Sequence, residues 1–202
     1  LQGVTIRSAD AANPAIVDGG SNGIQLSDPA NVIIADLVFR NQTGNGLNID
    51  DGGSFETPAA NVTLRNLTVR DIVTAGNFDV IKLSGVNDLR VEACRLERWG
   101  RGGSALDLVG CRRGAIEGCT LRHGPEASGA SGVQLKGGTV EVHVRRNRFE
   151  HAGGRAVNAG GSTGAAYFRP PLEDWKGPKY EARALTIEGN TFVGSQTPVA
   201  FV

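Results

Sequence analysis

Apolar and polar residues alternate in short runs along most of this chain, and the runs recur at intervals of about 25 residues. In the clearest copy, at 131–150, Val133 and Leu135 alternate with Gln134 and Lys136, and a Gly-Gly pair leads into a second alternating run. A period of two predicts β-strands, and no stretch of ten residues has the 3.6-residue period of a helix. Because so short a unit cannot bury its own apolar face, the copies must stack on one another as a solenoid.

Each repeat contains three such runs, which predicts three short strands per turn and about seven turns. The first strand recurs at Ile24-x-Leu26, Leu47-x-Ile49, Ile81-x-Leu83, Leu106-x-Leu108, Val133-x-Leu135, Val157-x-Ala159 and Val199-x-Phe201. The second recurs at Val32-x-Ile34, Val62-x-Leu64, Leu89-x-Val91, Ala115-Ile116, Val142-x-Val144 and Leu185-x-Ile187. The third recurs at Val38-Phe39, Val69, Leu96, Leu121, Phe149 and Phe192. The sequence therefore predicts one all-β domain over residues 1–202, built as a parallel β-solenoid.

One position after the second strand tests this alignment. In successive turns it holds Leu37, Leu67, Cys94, Cys119, Asn147 and Asn190. In a solenoid these side chains stack about 4.8 Å apart inside the coil. We expect the two cysteines to be free and buried, and the two asparagines to bind backbone groups at the bend.

Composition and charge argue against two classes of protein, nucleic-acid-binding proteins and membrane-spanning proteins. The net charge is zero and the pI is near 7, so the chain lacks the basic character expected of a nucleic-acid-binding protein. No run approaches the 18 apolar residues typical of a membrane span. The chain opens on LQGVTIRS, with neither Met nor a charged-then-apolar leader. We therefore expect a mature or excised form whose export signal has been removed.

Several segments carry a family resemblance, among them GIQLSDPANVIIADLVFRN, SGVQLKGGTVEVHVRRNRF and RALTIEGNTFVGS. The repeat resembles the right-handed parallel β-helix of the pectate-lyase-like superfamily. More narrowly, LSGVNDLRVEACRLERWG and GGSTGAAYFRPP are similar to uncharacterised secreted bacterial β-helix proteins that resemble polysaccharide lyases. The resemblance implies a secreted or periplasmic protein, a polysaccharide partner and further turns beyond Val202.

In a parallel β-helix the outward residues of one sheet form an elongated groove that suits a linear polymer. Between the apolar positions of the first strands this row is Gln25, Asn48, Lys82, Asp107, Gln134, Asn158 and Ala200. Just after these strands come Ser27, Asp50, Ser84, Val109, Lys136 and Gly160. For the second strands we expect the outward row Ile33, Thr63, Arg90, Glu117, His143 and Thr186. The first row concentrates carboxylates, amides and lysines, so we place the candidate site there, with Asn48, Gln134 and Asn158 contacting substrate.

One chemistry that fits this face is β-elimination on a uronic acid polymer, which needs a base, a charge-neutralising group and a proton donor. Lys136 is the candidate base, if neighbouring cations or burial lower its pKa, and Lys82 or Arg155 would neutralise charge; Asp107 completes the candidate catalytic set. The lysine position resembles that of the β-helical chondroitinase B and alginate lyase family. That family's arginine one turn later is replaced here by the segment at 158–160.

The carboxylates at the same face support two further hypotheses, a Ca²⁺ site and a pair of hydrolytic aspartates. Asp50, Asp51 and Asp79, with Asp107, could hold a Ca²⁺ ion that bridges to a substrate carboxylate, since hard cations take oxygen ligands. Asp50 and Asp51 also resemble the aspartate pair of polygalacturonases, which hydrolyse rather than eliminate. The chain lacks the Gly-His-Gly and Arg-Ile-Lys motifs of that family. A binding module without turnover, and a structural fragment whose charges only keep it in solution, are the alternatives.

The insertion at 160–183 begins directly after a first strand and therefore at the candidate groove. It contains the aromatic residues Tyr167, Phe168, Trp175 and Tyr180. Tyr167 and Trp175 are candidates for stacking on sugars, although such residues also cover apolar edges. The last strand, PVAFV, predicts an open edge through which the chain associates end to end.

Overall fold

The computed structural model describes residues 1–72, 76–125, 131–161, 163–172 and 179–202. In this part of the chain the strands form three parallel sheets, and each sheet receives one strand, or two short ones, from almost every turn. The predicted parallel β-helix is confirmed. No helix among the described residues is long and apolar enough to cross a membrane.

The three sheets are named here in the order in which the first complete turn reaches them. Within the described ranges, sheet I contains β3 (Ile24–Ser27), β6 (Leu47–Asp50), β9 (Ile81–Ser84), β13 (Ser104–Val109), β16 (Ser131–Lys136), β19 (Arg155–Ala159) and β23 (Thr197–Phe201). Sheet II contains β1 (Gln2–Arg7), β4 (Ala30–Ala35), β7 (Ala59–Arg65), β10 (Val86–Asn87), β11 (Arg90–Glu92), β14 (Arg112–Glu117), β17 (Thr139–Arg145), β20 (Ala182–Arg183) and β21 (Thr186–Glu188). Sheet III contains β2 (Ala15–Asp18), β5 (Leu37–Arg40), β8 (Thr68–Arg70), β12 (Arg95–Glu97), β15 (Thr120–Arg122), β18 (Arg148–Glu150) and β22 (Thr191–Val193).

The register of sheet I is the predicted one. Leu106 pairs with Ile81 on one side and with Val133 on the other, and all three side chains are fully buried. The polar residues between the apolar positions therefore form one continuous outward row, as expected from the period of two.

Sheet II departs from the prediction in one turn. Ala115, and not Glu117, pairs with Arg90 and His143 and so occupies the outward row. The reason is that Gly114 pairs with the inward Val142, so the inward positions of β14 are Gly114 and Ile116. A glycine at an inward position carries no apolar signal in the sequence, so the residue predicted for this row lies two residues too far along β14, on the same face.

The corners of the coil use the left-handed backbone conformation that Asn and Asp tolerate better than other residues with side chains. One such column lies near the start of the sheet II strands and consists of Asn31, Asn61, Asp88, Arg113, Glu141 and Ala184, all with φ between 53° and 58°. Its side chains bind one another from turn to turn: the Asn61 amide donates to Asn31 Oδ1 at 2.8 Å. Polar residues at the bends thus both shape each corner and connect adjacent turns.

The predicted interior column is confirmed, and it forms a hydrogen-bonded ladder. The backbone N–H of Cys119 donates to Asn147 Oδ1, and the backbone N–H of Asn147 donates to Asn190 Oδ1, both at 2.9 Å. One turn earlier, the Cys94 amide donates to Cys119 Sγ at 3.4 Å. Both cysteines are free and buried, so the thiol takes the place that the asparagine amide holds in later turns.

Candidate functional site

A short segment of the insertion crosses the end of sheet I and encloses the candidate site. Residues 163–172, here called the strap, contain one 3-10 turn at Ala165–Tyr167. The Arg169 amide donates to Gly137 O at 3.0 Å. The Glu181 carboxylate accepts from the amides of Gly137 at 2.7 Å and Thr163 at 2.8 Å. These bonds hold the strap against the end of β16.

Two glycines allow the strap to lie directly on the coil. At Gly110, with φ of 63°, an added Cβ would lie 2.2 Å from Arg169 Cβ. At Gly137 an added Cβ would lie 2.7 Å from Val109 Cγ1 and 3.2 Å from Thr163 Cγ2. Side chains at these positions would therefore lift the strap away from the ends of the strands.

The space between the strap and sheet I is a pocket of ≈ 430 Å³, here called the central pocket. Its lining consists of Asn77, Lys82, Ser84, Val109, Lys136, Thr163, Gly164, Tyr167 and Arg169. Three of these side chains carry a positive charge, and Tyr167 is largely exposed at the rim. The pocket is therefore lined by cations and open to a ligand that approaches from solvent.

Asp107 connects the two lysines of this pocket. Its Oδ2 atom lies 2.6 Å from Lys82 Nζ, and its Oδ1 atom lies 3.2 Å from Lys136 Nζ. The Lys136 contact has ion-pair distance without hydrogen-bond geometry, so Oδ1 accepts no hydrogen bond from a described residue. One carboxylate thus holds two ammonium groups from the strands on either side of its own.

Asp79 adds a second carboxylate beneath Lys82. Its Oδ1 atom accepts from the Ser104 amide at 2.7 Å, and its Oδ2 atom lies 3.4 Å from Lys82 Nζ. Burial raises the pKa of Asp79 to about 6, and the charge of Asp107 acts in the same direction. Burial alone would lower the pKa of Lys82, but the charges of Asp107 and Asp79 outweigh it, so this pKa is raised and Lys82 is held as the ammonium.

Arg169 of the strap, like the two lysines, is paired with a buried carboxylate. Its Nε atom donates to Asp51 Oδ2 at 2.7 Å, and the Asp51 carboxylate is fully buried. The side chains of Lys82, Lys136 and Arg169 are 28%, 14% and 16% exposed, whereas Asp107, Asp79 and Asp51 are 1%, 1% and 0% exposed. An entering anion therefore meets the three cations first, while their carboxylate partners lie beneath the pocket surface.

The remaining predicted residues of the sheet I row lie near this pocket without lining it. Gln134 Oε1 accepts from the Ser104 hydroxyl at 3.4 Å. Asn158 is buried and accepts from Arg155 Nη1 at 3.3 Å. Arg155 pairs with Ser131 at the opposite end of the strands from Lys136, so the structure does not bring it to the lysine pair.

The three aspartates predicted to bind Ca²⁺ have separate partners. Asp50 accepts from the Gln25 amide at 2.9 Å and from Asn48, whereas Asp51 binds Arg169 and Asp79 binds Ser104 and Lys82. In the described ranges no group of three or more His, Cys, Asp or Glu side chains is arranged to hold a metal. Asp50, Asp51 and Asp79 thus do not form one group of ligands among the described residues, and Asp51 of the candidate hydrolytic pair is bound by Arg169.

Sequence reasoning missed the most informative residue of the site. Arg169 reaches Asp51 across 118 positions of the chain, within an insertion that has no repeat register to align it. Tyr167, predicted to contact substrate, does line the central pocket. Trp175, predicted for the same role, lies outside the described residues.

No protein-family model and no curated protein matches the chain. Among solved structures, an alginate lyase from Paenibacillus sp. str. FPU-7 has a TM-score of 0.67 at 18% identity, covering 93% of this chain and 59% of its own. The A-module of the Azotobacter vinelandii mannuronan C-5 epimerase AlgE4 has a TM-score of 0.57 at 12% identity, covering 98% and 56%. The chain is thus a right-handed parallel β-helix protein that spans somewhat more than half the length of these two structures.

Proposed function

We propose that the central pocket binds the carboxylate of a uronic acid residue, and that the protein acts on an acidic polysaccharide by β-elimination. The observation that carries this proposal is the arrangement of three partly exposed cations over three buried carboxylates. Such a surface attracts an anion and keeps each cation in a defined position. The alginate-related names of the two solved structures make alginate the first polymer to test.

In this proposal the reaction removes the C5 proton of the uronate, breaks the C4–O4 bond and forms a C4=C5 double bond. The leaving O4 atom takes up a proton. Lys82, held as the ammonium, neutralises the carboxylate and so stabilises the charge that develops when C5 loses its proton. Lys136 and the Tyr167 hydroxyl are the pocket groups that exchange protons with C5 and O4. Lys136 Nζ lies 3.2 Å from the Asp107 carboxylate, and the rate of a Lys136 variant tests its role as the base.

The test is the absorbance at 235 nm, at which eliminated uronates absorb, with alginate, pectate and glycosaminoglycans as substrates. We expect the wild-type protein to produce a signal with at least one polymer. Lys82→Ala and Lys136→Ala should each reduce the rate by at least about 100-fold, as expected for groups that act on transferred protons or developing charge. Lys179→Ala is the matched control because Lys179 is exposed and lines neither this pocket nor its surroundings. Chelation of Ca²⁺ should leave the rate unchanged, because the carboxylates of Asp51, Asp79 and Asp107 already bind the side chains of Arg169, Lys82 and Lys136.

A binding module without turnover is the second candidate. It is favoured by the ion pairs that hold both Lys82 and Lys136 against Asp107, since cations in fixed positions suit charge recognition without turnover. Absence of absorbance with every polymer, together with binding that Lys82→Ala weakens, would assign this function instead. Secretion or a periplasmic location, and association through the C-terminal edge, remain predictions.

A further inference from the structure

A second pocket lies on the other side of the strap, where the chain turns from sheet I into sheet II. This corner pocket has a volume of ≈ 280 Å³. Gly85 and Gly110 line it, and they directly follow Ser84 and Val109, which line the central pocket and are the last residues of β9 and β13. Arg169 lines both pockets and separates them. The two pockets are therefore neighbours along the strand direction.

The distance between the pockets suits consecutive sugars. Ser84 lines the central pocket and Asn87 lines the corner pocket, three residues further along the chain. Three residues of chain span at most about 10 Å, and they span less here because the chain turns at Gly85, where φ is 65°. A polymer with one sugar in the central pocket therefore brings a following sugar to the corner.

The charge of the corner pocket is not neutralised by its own residues. Arg112 lines the pocket, donates to Arg169 O at 3.4 Å and makes no ion pair with any residue in the described ranges. The carboxylate in the lining, Asp51, already accepts from Arg169 and from the Gly53 amide. A guanidinium at a pocket wall that makes no ion pair with a described residue favours a carboxylate ligand, which it binds through two parallel hydrogen bonds.

The remaining walls suit a sugar ring. Phe55, Pro58 and Pro170 provide apolar surface, and the Asn87 amide offers both a donor and an acceptor for hydroxyl groups. Pockets that bind small molecules combine a mostly apolar lining with a few polar groups that fix the ligand's orientation. Here the orienting groups are Arg112 and Asn87.

We infer that the corner pocket is a second binding subsite, which takes a carboxylate-bearing sugar of the same polymer, with Arg112 as its anion-binding group. The inference rests on the proposed function, because it assumes that the central pocket binds a neighbouring uronate. The strap then lies between two sugar-binding positions, with Arg169 as their shared wall.

The experiment is isothermal titration calorimetry with the monosaccharide mannuronate, which can occupy one pocket only, and with an alginate tetrasaccharide, with turnover followed at 235 nm in the same samples. Arg112→Ala should weaken tetrasaccharide binding about tenfold, the loss expected for one charge-assisted contact, and leave binding of mannuronate to the central pocket unchanged. Arg113→Ala is the matched control, because Arg113 is adjacent in sequence but pairs with Asp88 outside this pocket. Equal melting temperatures of the two variants would exclude a folding effect.

The outcomes separate the two proposals. If Arg112→Ala leaves tetrasaccharide affinity unchanged while Lys82→Ala weakens the binding of both ligands, the corner subsite is refuted and the proposed function stands. If the wild-type protein binds neither ligand, the proposed function and the subsite both fail for alginate. A tetrasaccharide-specific loss with Arg112→Ala alone supports the subsite.

Discussion

The Asp107 carboxylate lies 2.6 Å from the ammonium of Lys82 and, through its other oxygen, 3.2 Å from that of Lys136. The three residues come from three adjacent strands of sheet I, and only the carboxylate is fully buried. This relationship makes Asp107 the residue that positions both lysines. It also explains how two cations are kept together on one side of a pocket in a chain with no net charge.

Asp107→Asn should therefore lower the free energy of unfolding by about 3 kcal/mol, because it leaves two neighbouring ammonium groups without their shared partner. Lys136→Met should cost less, since Asp107 keeps its shorter contact to Lys82. Urea unfolding at pH 7 measures both changes. Equal losses in the two variants would show that Asp107 does not bridge the lysines.

The raised pKa of Asp79 predicts a pH-dependent stability. In the unfolded chain its carboxyl titrates near 3.8, and in the folded protein near 6, so the folded state holds more protons between these values. Stability from this group is thus present at pH 4 and is lost as pH rises through 6. The difference corresponds to about 3 kcal/mol.

Asp79→Asn should remove this pH-dependent contribution to the free energy of unfolding, because asparagine does not titrate. Its side-chain oxygen can still accept from the Ser104 backbone N–H. Unfolding free energies of the wild type and Asp79→Asn, measured in urea from pH 4 to pH 7, give the comparison. The variant should gain stability relative to the wild type over this range. Parallel pH profiles would contradict the assigned pKa.

The ion pair between Arg169 and Asp51 predicts that the strap is coupled to the stability of the coil. Arg169→Met leaves the fully buried Asp51 carboxylate without its cation and should cost about 3 kcal/mol. The double variant with Asp51→Asn should cost less than the sum of the single changes. Arg113→Met is the control, because it breaks an exposed pair with Asp88 and should cost less than about 1 kcal/mol.

The interior ladder predicts that replacing the single side chain of Asn147 lowers the free energy of unfolding substantially. Asn147→Ala removes the acceptor of the Cys119 amide and the donor to Ile116 O, and so leaves two buried backbone groups unpaired. We expect a loss of about 2–3 kcal/mol in chemical unfolding. Asn48→Ala on the outer row should cost less than about 1 kcal/mol, as its hydrogen bonds join partly exposed side chains. Similar losses in both variants would place Asn147 outside the ladder.

The sequence by itself determined the coil and the register of sheet I. Alternation with a period of two, repeated in every turn, allows a given row to face outward in only one way, which is why Lys82, Asp107 and Gln134 align as expected. The column of Cys94, Cys119, Asn147 and Asn190 followed from the same repetition. The predicted outward row of sheet II was wrong at β14, because Gly114 occupies an inward position and a glycine shows no preference for either face.

Only the tertiary structure decided which charges act together. Asp50 and Asp51 are neighbours in sequence, yet one joins an amide network on the outer row and the other pairs with Arg169. Arg155 and Lys136 belong to adjacent strands, yet they lie at opposite ends of them. The path of the strap depends on contacts between residues far apart in the chain, and such contacts leave no periodic signal. The pockets on either side of Arg169 exist for that reason, and no pattern along the chain could have placed them.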